Sequence, residues 1–119
     1  MKKEWKVESQ DLAVSLASDF QQGPIIDEQG LRYYTEQTIA NLNGLKIEIF
    51  SDEHPPPHFR VSYAGETANF SIKDCTKLNG DLNKWERNIR NWHATHKNDL
   101  IDTWNRTRPS DCPVGNYRE

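Results

Sequence analysis

Two histidines, His54 and His58, flank three consecutive prolines, Pro55-Pro56-Pro57, and two acids, Asp52 and Glu53, precede them. An imidazole can ligate a transition metal, move a proton or hydrogen-bond a partner, and a carboxylate beside it can act as a base. Proline fixes φ and donates no backbone hydrogen bond, so the three together hold the histidines in a stiff, extended segment. Such a loop loses little entropy when it binds, which suits recognition or ligation. The competing reading is structural, with each histidine satisfying backbone groups that the prolines leave unpaired. Adjacent acids before a proline run are mostly surface turn residues.

The other two of the four histidines, His93 and His96, are three residues apart on a helical pattern. A metal site drawing on both segments, with His54, His58 and His96 as ligands, is the alternative to a satisfied core or boundary histidine at His96. No carboxylate or cysteine stands at a recognised ligand spacing beside them. Lys84, Arg87, Arg90 and Lys97 form a basic strip that is either a solvated helix face or a dock for an acidic protein or a phosphate. Trp104, near the end of the same helix, is expected to be half covered and suited to an interface. The chain has no glycine-rich phosphate loop, paired zinc cysteines, serine elbow or Cys–His nucleophile arrangement. The balance leans against an enzyme, and no cofactor is expected.

The elements that must position these groups follow from periodicity. Residues 1–8 are charged and expected to fray, with Trp5 the one candidate for docking. Ser9 is a good N-cap for a helix through about Phe20, since Leu12, Leu16 and Phe20 recur at spacing four beside Ala13 and Ala17. Leu31–Thr35 reads as a short strand. Residues 38–42, Asn43-Gly44 and 45–50 read as a β-hairpin, because Asn-Gly supplies the positive φ of a type I′ turn. Phe59, Val61 and Tyr63 alternate in a next strand, Ala68, Phe70 and Ile72 in another, and residues 75–78 add a brief one. Asn83 and Glu86 resemble a capping box. Trp85, Ile89, Trp92, His96, Leu100 and Trp104 then mark one helix face, with a break expected near Thr95–Asn98. The expected fold is α+β: a small antiparallel meander of three to five strands, covered on one face by C-terminal helices. Residues 1–36 read as an N-terminal extension with a short helix, 37–108 as the core domain, and 109–119 as a tail.

Composition bounds the function. The chain has 119 residues, 34% apolar and 28% charged, so one modest core rich in its twelve aromatics is expected. Net charge is −3, which disfavours nucleic acid and anionic membrane as partners. Residues 84–108 run against that trend, with six Lys/Arg against three Asp/Glu. No run approaches the ~20 apolar residues that cross a bilayer, and no signal-peptide pattern is present. Cys75 and Cys112 are read as reduced thiols of a cytoplasmic protein rather than a disulfide.

From Leu45 to about Trp104 the chain resembles a bacterial family catalogued only as domain of unknown function 4160. His54, Pro56, Pro57, His58 and Phe59 match its His-x-Pro-Pro-His-Phe motif, and Tyr63 and Ala68 match the strands that follow. Trp92, His96, Leu100 and Trp104 match its closing helical pattern. The family's usual third histidine is Arg60 here, which weakens a metal reading and suits an ion pair with a partner or a phosphate. The resemblance implies a small cytoplasmic prokaryotic protein of toxin–antitoxin or toxin–immunity type, acting by contact with its cognate protein. The expected binding residues are Asp52, His54, His58, Phe59 and Arg60, with Arg87, Arg90 and Trp104 on the helix. The alternatives are a small metal-dependent hydrolase or nuclease built on the His54/His58 loop, and nucleic-acid binding through Arg60, Arg87 and Arg90.

Overall fold

Alternating apolar and polar residues decide the centre of the fold. The computed structural model describes residues 4–31, 44–52, 57–108 and Tyr117. Five antiparallel strands lie side by side in chain order: β1 (Glu4–Glu8), β2 (Lys46–Asp52), β3 (His58–Tyr63), β4 (Glu66–Ser71) and β5 (Lys77–Gly80). With the helices α1 (Gln10–Phe20) and α2 (Glu86–Thr107) they make the expected α+β fold. The alternation of β3 appears directly in its burial, with Phe59, Val61 and Tyr63 buried and His58, Arg60 and Ser62 half-buried on the opposite face.

Residues 4–8 do not fray. They pair with β2 from Glu4 opposite Asp52 to Glu8 opposite Glu48, and form the first strand of the sheet. From Glu48 onwards this fills the edge that the expected hairpin partner was to occupy, and β3 fills the other. Residues 38–42 and 32–35, where two strands were expected, lie outside the described residues.

Both helices pack on one face of the sheet. Ser9 caps α1 as expected, its Oγ accepting from Leu12 N at 3.2 Å. Leu12, Leu16 and Phe20 are buried, and Phe20 stacks on Trp85 at 4.2 Å and meets Tyr63 edge-on at 5.4 Å. Trp92 ties the helices together, its Nε1 donating to Ser15 Oγ at 2.8 Å, while its ring lies 5.9 Å from Phe59 of β3. α2 is one continuous helix, so the break expected near Thr95–Asn98 is absent. Its start also differs from a capping box. A 3-10 turn, Asn83–Trp85, precedes it, and the Asn83 side chain accepts from Lys77 rather than capping the helix. Leu82, at φ 63°, has already turned the backbone sharply, which leaves no extended residue to cap.

Cys75 is a buried free thiol, and burial pushes it up to about 12. It therefore stays protonated and unreactive at neutral pH; Cys112 lies outside the described residues. No helix among the described residues is long and apolar enough to cross a membrane.

The β3–β4 turn supplies one stability prediction. Tyr63 pairs with Glu66, and the two residues between them, Ala64 at φ 53° and Gly65 at φ 81°, are both left-handed. Asparagine tolerates this region better than alanine. Ala64→Asn should raise stability by about 0.5–1 kcal/mol in urea unfolding; a loss of that size would refute the turn geometry.

Candidate binding face of the sheet

Because side chains alternate, the strand residues that miss the core share the face away from the helices. Three rows cross it, one of them through Lys46, Ser62 and Thr67. Of the others, one runs Lys6, Phe50, His58, Ser71, and the middle one runs Glu8, Glu48, Arg60, Asn69, Asn79. Neither helix lies on this side.

Arg60 is at the centre. Its Nε donates to Asn69 Oδ1 at 3.2 Å, and Asn69 Nδ2 donates in turn to Asn79 Oδ1 at 2.6 Å. Its guanidinium carbon lies 4.5 Å from the centre of the Phe50 ring, within cation–π range. The imidazole of His58 lies almost parallel to the same ring, 5.2 Å away. Phe50 is thereby only 4% exposed on a face that sequence alternation assigns to polar residues. Beside this group Lys6 Nζ meets Glu48 Oε2 at 3.0 Å, so that lysine is already paired.

The consequence is a pre-positioned donor. A guanidinium carries five N–H groups. Nε is used internally, and the terminal nitrogens have no partner among the described residues. An aromatic shelf below and an amide at the side fix the plane of that fork, which lowers the entropy lost when it pairs with a carboxylate.

The expected site residues separate into two layers. His58 and Arg60 lie on the open face, and Asp52 ends β2 at its rim opposite Glu4. His54 lies outside the described residues. Phe59 is fully buried and faces the helices, stacking on His93 at 6.0 Å, so it is a core residue and not a binding residue. Trp104 is 1% exposed, which corrects the expectation of a half-covered interface tryptophan. Arg87 and Arg90 lie on α2, on the far side of the sheet from Arg60, and Arg90 pairs with Glu86 at 3.2 Å. The three arginines therefore do not form one nucleic-acid surface, and the loop and the helix face do not form one docking plane.

The three-histidine metal set is divided in the same way. His58 is on the open face, while His96 is on α2, stacked on Trp92 at 5.1 Å with Nδ1 2.9 Å from the Trp92 carbonyl. Among the described residues no group of three His, Cys, Asp or Glu could hold a metal ion. His93, not His96, is the buried histidine of the helix, its Nε2 donating to Ile72 O at 2.6 Å. Phe50, Asn69 and Asn79 belong to the face but were not among the expected residues. The signal for Phe50 was an aromatic out of phase with Leu45, Ile47 and Ile49.

No curated protein and no solved structure matches the chain. The family described as a domain of unknown function (DUF4160) matches residues 44–105, from just before β2 into the last turn of α2. That span is just over half of the chain and contains both motifs noted in the sequence, so the chain belongs to the DUF4160 family.

Proposed function

We propose that this protein is a non-catalytic binding module whose open sheet face receives an acidic group of a partner protein. The observation that carries the reading is Arg60, fixed by Asn69 and Phe50 with its terminal N–H groups unused. A carboxylate is preferred to a nucleic-acid phosphate because the chain is net negative and Lys6, one of two lysines on the face with Lys46, is paired with Glu48. The toxin–antitoxin or toxin–immunity role that family resemblance implies supplies the kind of partner, a cognate protein in a bacterial cytoplasm.

The test is affinity capture from the native host with the wild-type chain, Arg60→Ala and Arg60→Lys. One protein should be retained stoichiometrically by the wild type and lost with Arg60→Ala. Truncating one side of a hydrogen-bonded charge pair costs about 2 kcal/mol or more, roughly thirtyfold in Kd. Lysine should not rescue, because it lacks the planar fork. Equal retention by all three chains, or recovery of nucleic acid alone, would overturn the assignment.

A further inference from the structure

The helical layer has a second polar site, separate from the sheet face and independent of the role proposed for it. A cleft of about 310 Å³ lies between the start of α1 and the second half of α2. Its walls carry three acids: Asp11 from the first turn of α1, and Asp99 and Asp102 from α2. None of the three has a hydrogen bond or ion pair from its side chain among the described residues. Arg106, also on the wall, is four residues beyond Asp102 and forms no ion pair with it. Three acids against one arginine leave the walls at a formal −2, the histidine not counted.

A second observation is independent of charge. Thr103, which also lines the cleft, is only 8% exposed, and its hydroxyl has no hydrogen-bond partner among the described residues. Other helical hydroxyls in this chain bond back to carbonyls, as Ser15, Ser18, Thr95 and Thr107 do. A buried hydroxyl left without a partner points to a group that the protein itself does not supply.

His96 adds an acceptor. Nδ1 lies 2.9 Å from Trp92 O, which only accepts, and 2.9 Å from Thr95 Oγ1, whose proton goes to the same carbonyl, so Nδ1 is the donor and Nε2 is the nitrogen left to face the cleft. The wall serines do not compete for a ligand in the same way. Ser9 Oγ holds the N-cap, and Ser15 Oγ accepts from Trp92 while donating to Leu12 O. The free groups are therefore acceptors approaching from both helices, with one arginine among them. They do not converge tightly enough for a metal ion, as no such group of three exists among the described residues. An ammonium group, with three donors pointing in different directions, suits acceptors dispersed in this way better than a planar guanidinium does.

We propose that the α1–α2 cleft binds an organic cation through a primary ammonium group, held by Asp11, Asp99 and Asp102 with Thr103 and His96. The ammonium belongs either to a free polyamine or to a lysine side chain of another protein. Isothermal titration calorimetry of the full chain with spermidine, and separately with a tetralysine peptide, distinguishes the two. Saturable one-to-one binding of either probe is expected. The double variant Asp99→Asn/Asp102→Asn should weaken it at least tenfold, and Asp81→Asn, an exposed acid remote from the cleft, should leave it unchanged. Thr103→Val should weaken binding severalfold without lowering the melting temperature, because the hydroxyl bonds no described residue in the free protein. Spermidine alone binding would assign the site to a free polyamine; the peptide binding more tightly would assign it to a partner's lysine. Failure of both probes, or an equal effect of Asp81→Asn, would overturn the proposal. So would a Thr103→Val variant that loses stability but not affinity.

Discussion

Asn88→Leu is expected to lower the stability of the fold by about 3 kcal/mol in urea or thermal unfolding, although leucine has the same branched outline as asparagine. Asn88 is fully buried on α2 and ties that helix to the exit of α1. Its Oδ1 accepts from Ile25 N at 2.7 Å, and its Nδ2 donates to Asp19 Oδ1 at 2.9 Å and to Gly23 O at 3.0 Å. Leucine removes all three bonds and leaves the Ile25 N–H buried without a partner, so a desolvation penalty adds to the lost bonds. For comparison, the Arg90–Glu86 pair on the same helix is exposed and should contribute only about 0.3–0.5 kcal/mol. Arg90→Gln, which removes that pair alone, should therefore be nearly silent where Asn88→Leu is severe. Similar losses from the two variants would contradict the assignment of Asn88 as the link between the α1 exit and α2.

Gly80→Ala should cost at least as much. Gly80 is in β5 at φ +103°, a conformation that strains any residue with a Cβ. A Cβ there would lie 2.4 Å from the carbonyl oxygen of Thr67 and 2.5 Å from Cα of Ala68. Those are backbone atoms of β4, and the Thr67 oxygen is also held by the Asp81 N–H at 2.7 Å, so neither can move without opening the ladder. Strain and overlap together should exceed about 3 kcal/mol, a fall of roughly 12 °C or more in Tm for a domain of this size. Gly65→Ala is the control. Its φ is +81° but a Cβ would meet nothing within 4 Å, so only the strain of about 1 kcal/mol applies. If the two variants lost equal stability, the close approach of β5 to β4 would be wrong.

These two residues show how far the sequence could be read. Where burial follows a simple period the reading was complete: Leu12, Leu16 and Phe20 on α1, and Phe59, Val61 and Tyr63 on β3, are buried as their spacing requires. β1 was missed although Trp5 and Val7 alternate with Glu4, Lys6 and Glu8. Three charges in five residues resemble a frayed terminus, but charge is also how edge strands resist aggregation. Asn88 was missed because a polar residue within an apolar stripe was passed over. Its place three residues after Trp85 and four before Trp92 puts it on the buried face of the helix. The continuity of α2 through Thr95–Asn98 arises from tertiary packing on both sides, with Trp92 and Leu100 buried, which outweighs modest local propensity.

The candidate site was legible only in part. The sequence singled out His58 and Arg60 and the departure of Arg60 from the family's histidine. It did not separate the faces, because deciding that Arg60 and Arg87 lie on opposite layers needs the register of β3 and the seat of α2. Phe50 shows the limit most clearly. Its out-of-phase position was visible, but its role as a shelf under Arg60 and His58 depends on cross-strand pairing over the sequence interval from 50 to 60.

The measurement that tests the central claim most directly is a ¹⁵N NMR titration of the full chain with the protein recovered by affinity capture. The side-chain resonances of Arg60 Nε, Asn69 and Asn79, and the backbone amides of Lys6, Glu48 and His58, should shift together and saturate at one equivalent. Shifts confined to the exposed surfaces of α1 and α2, with Arg60 and Asn69 unmoved, would contradict a binding function centred on the open face of the sheet.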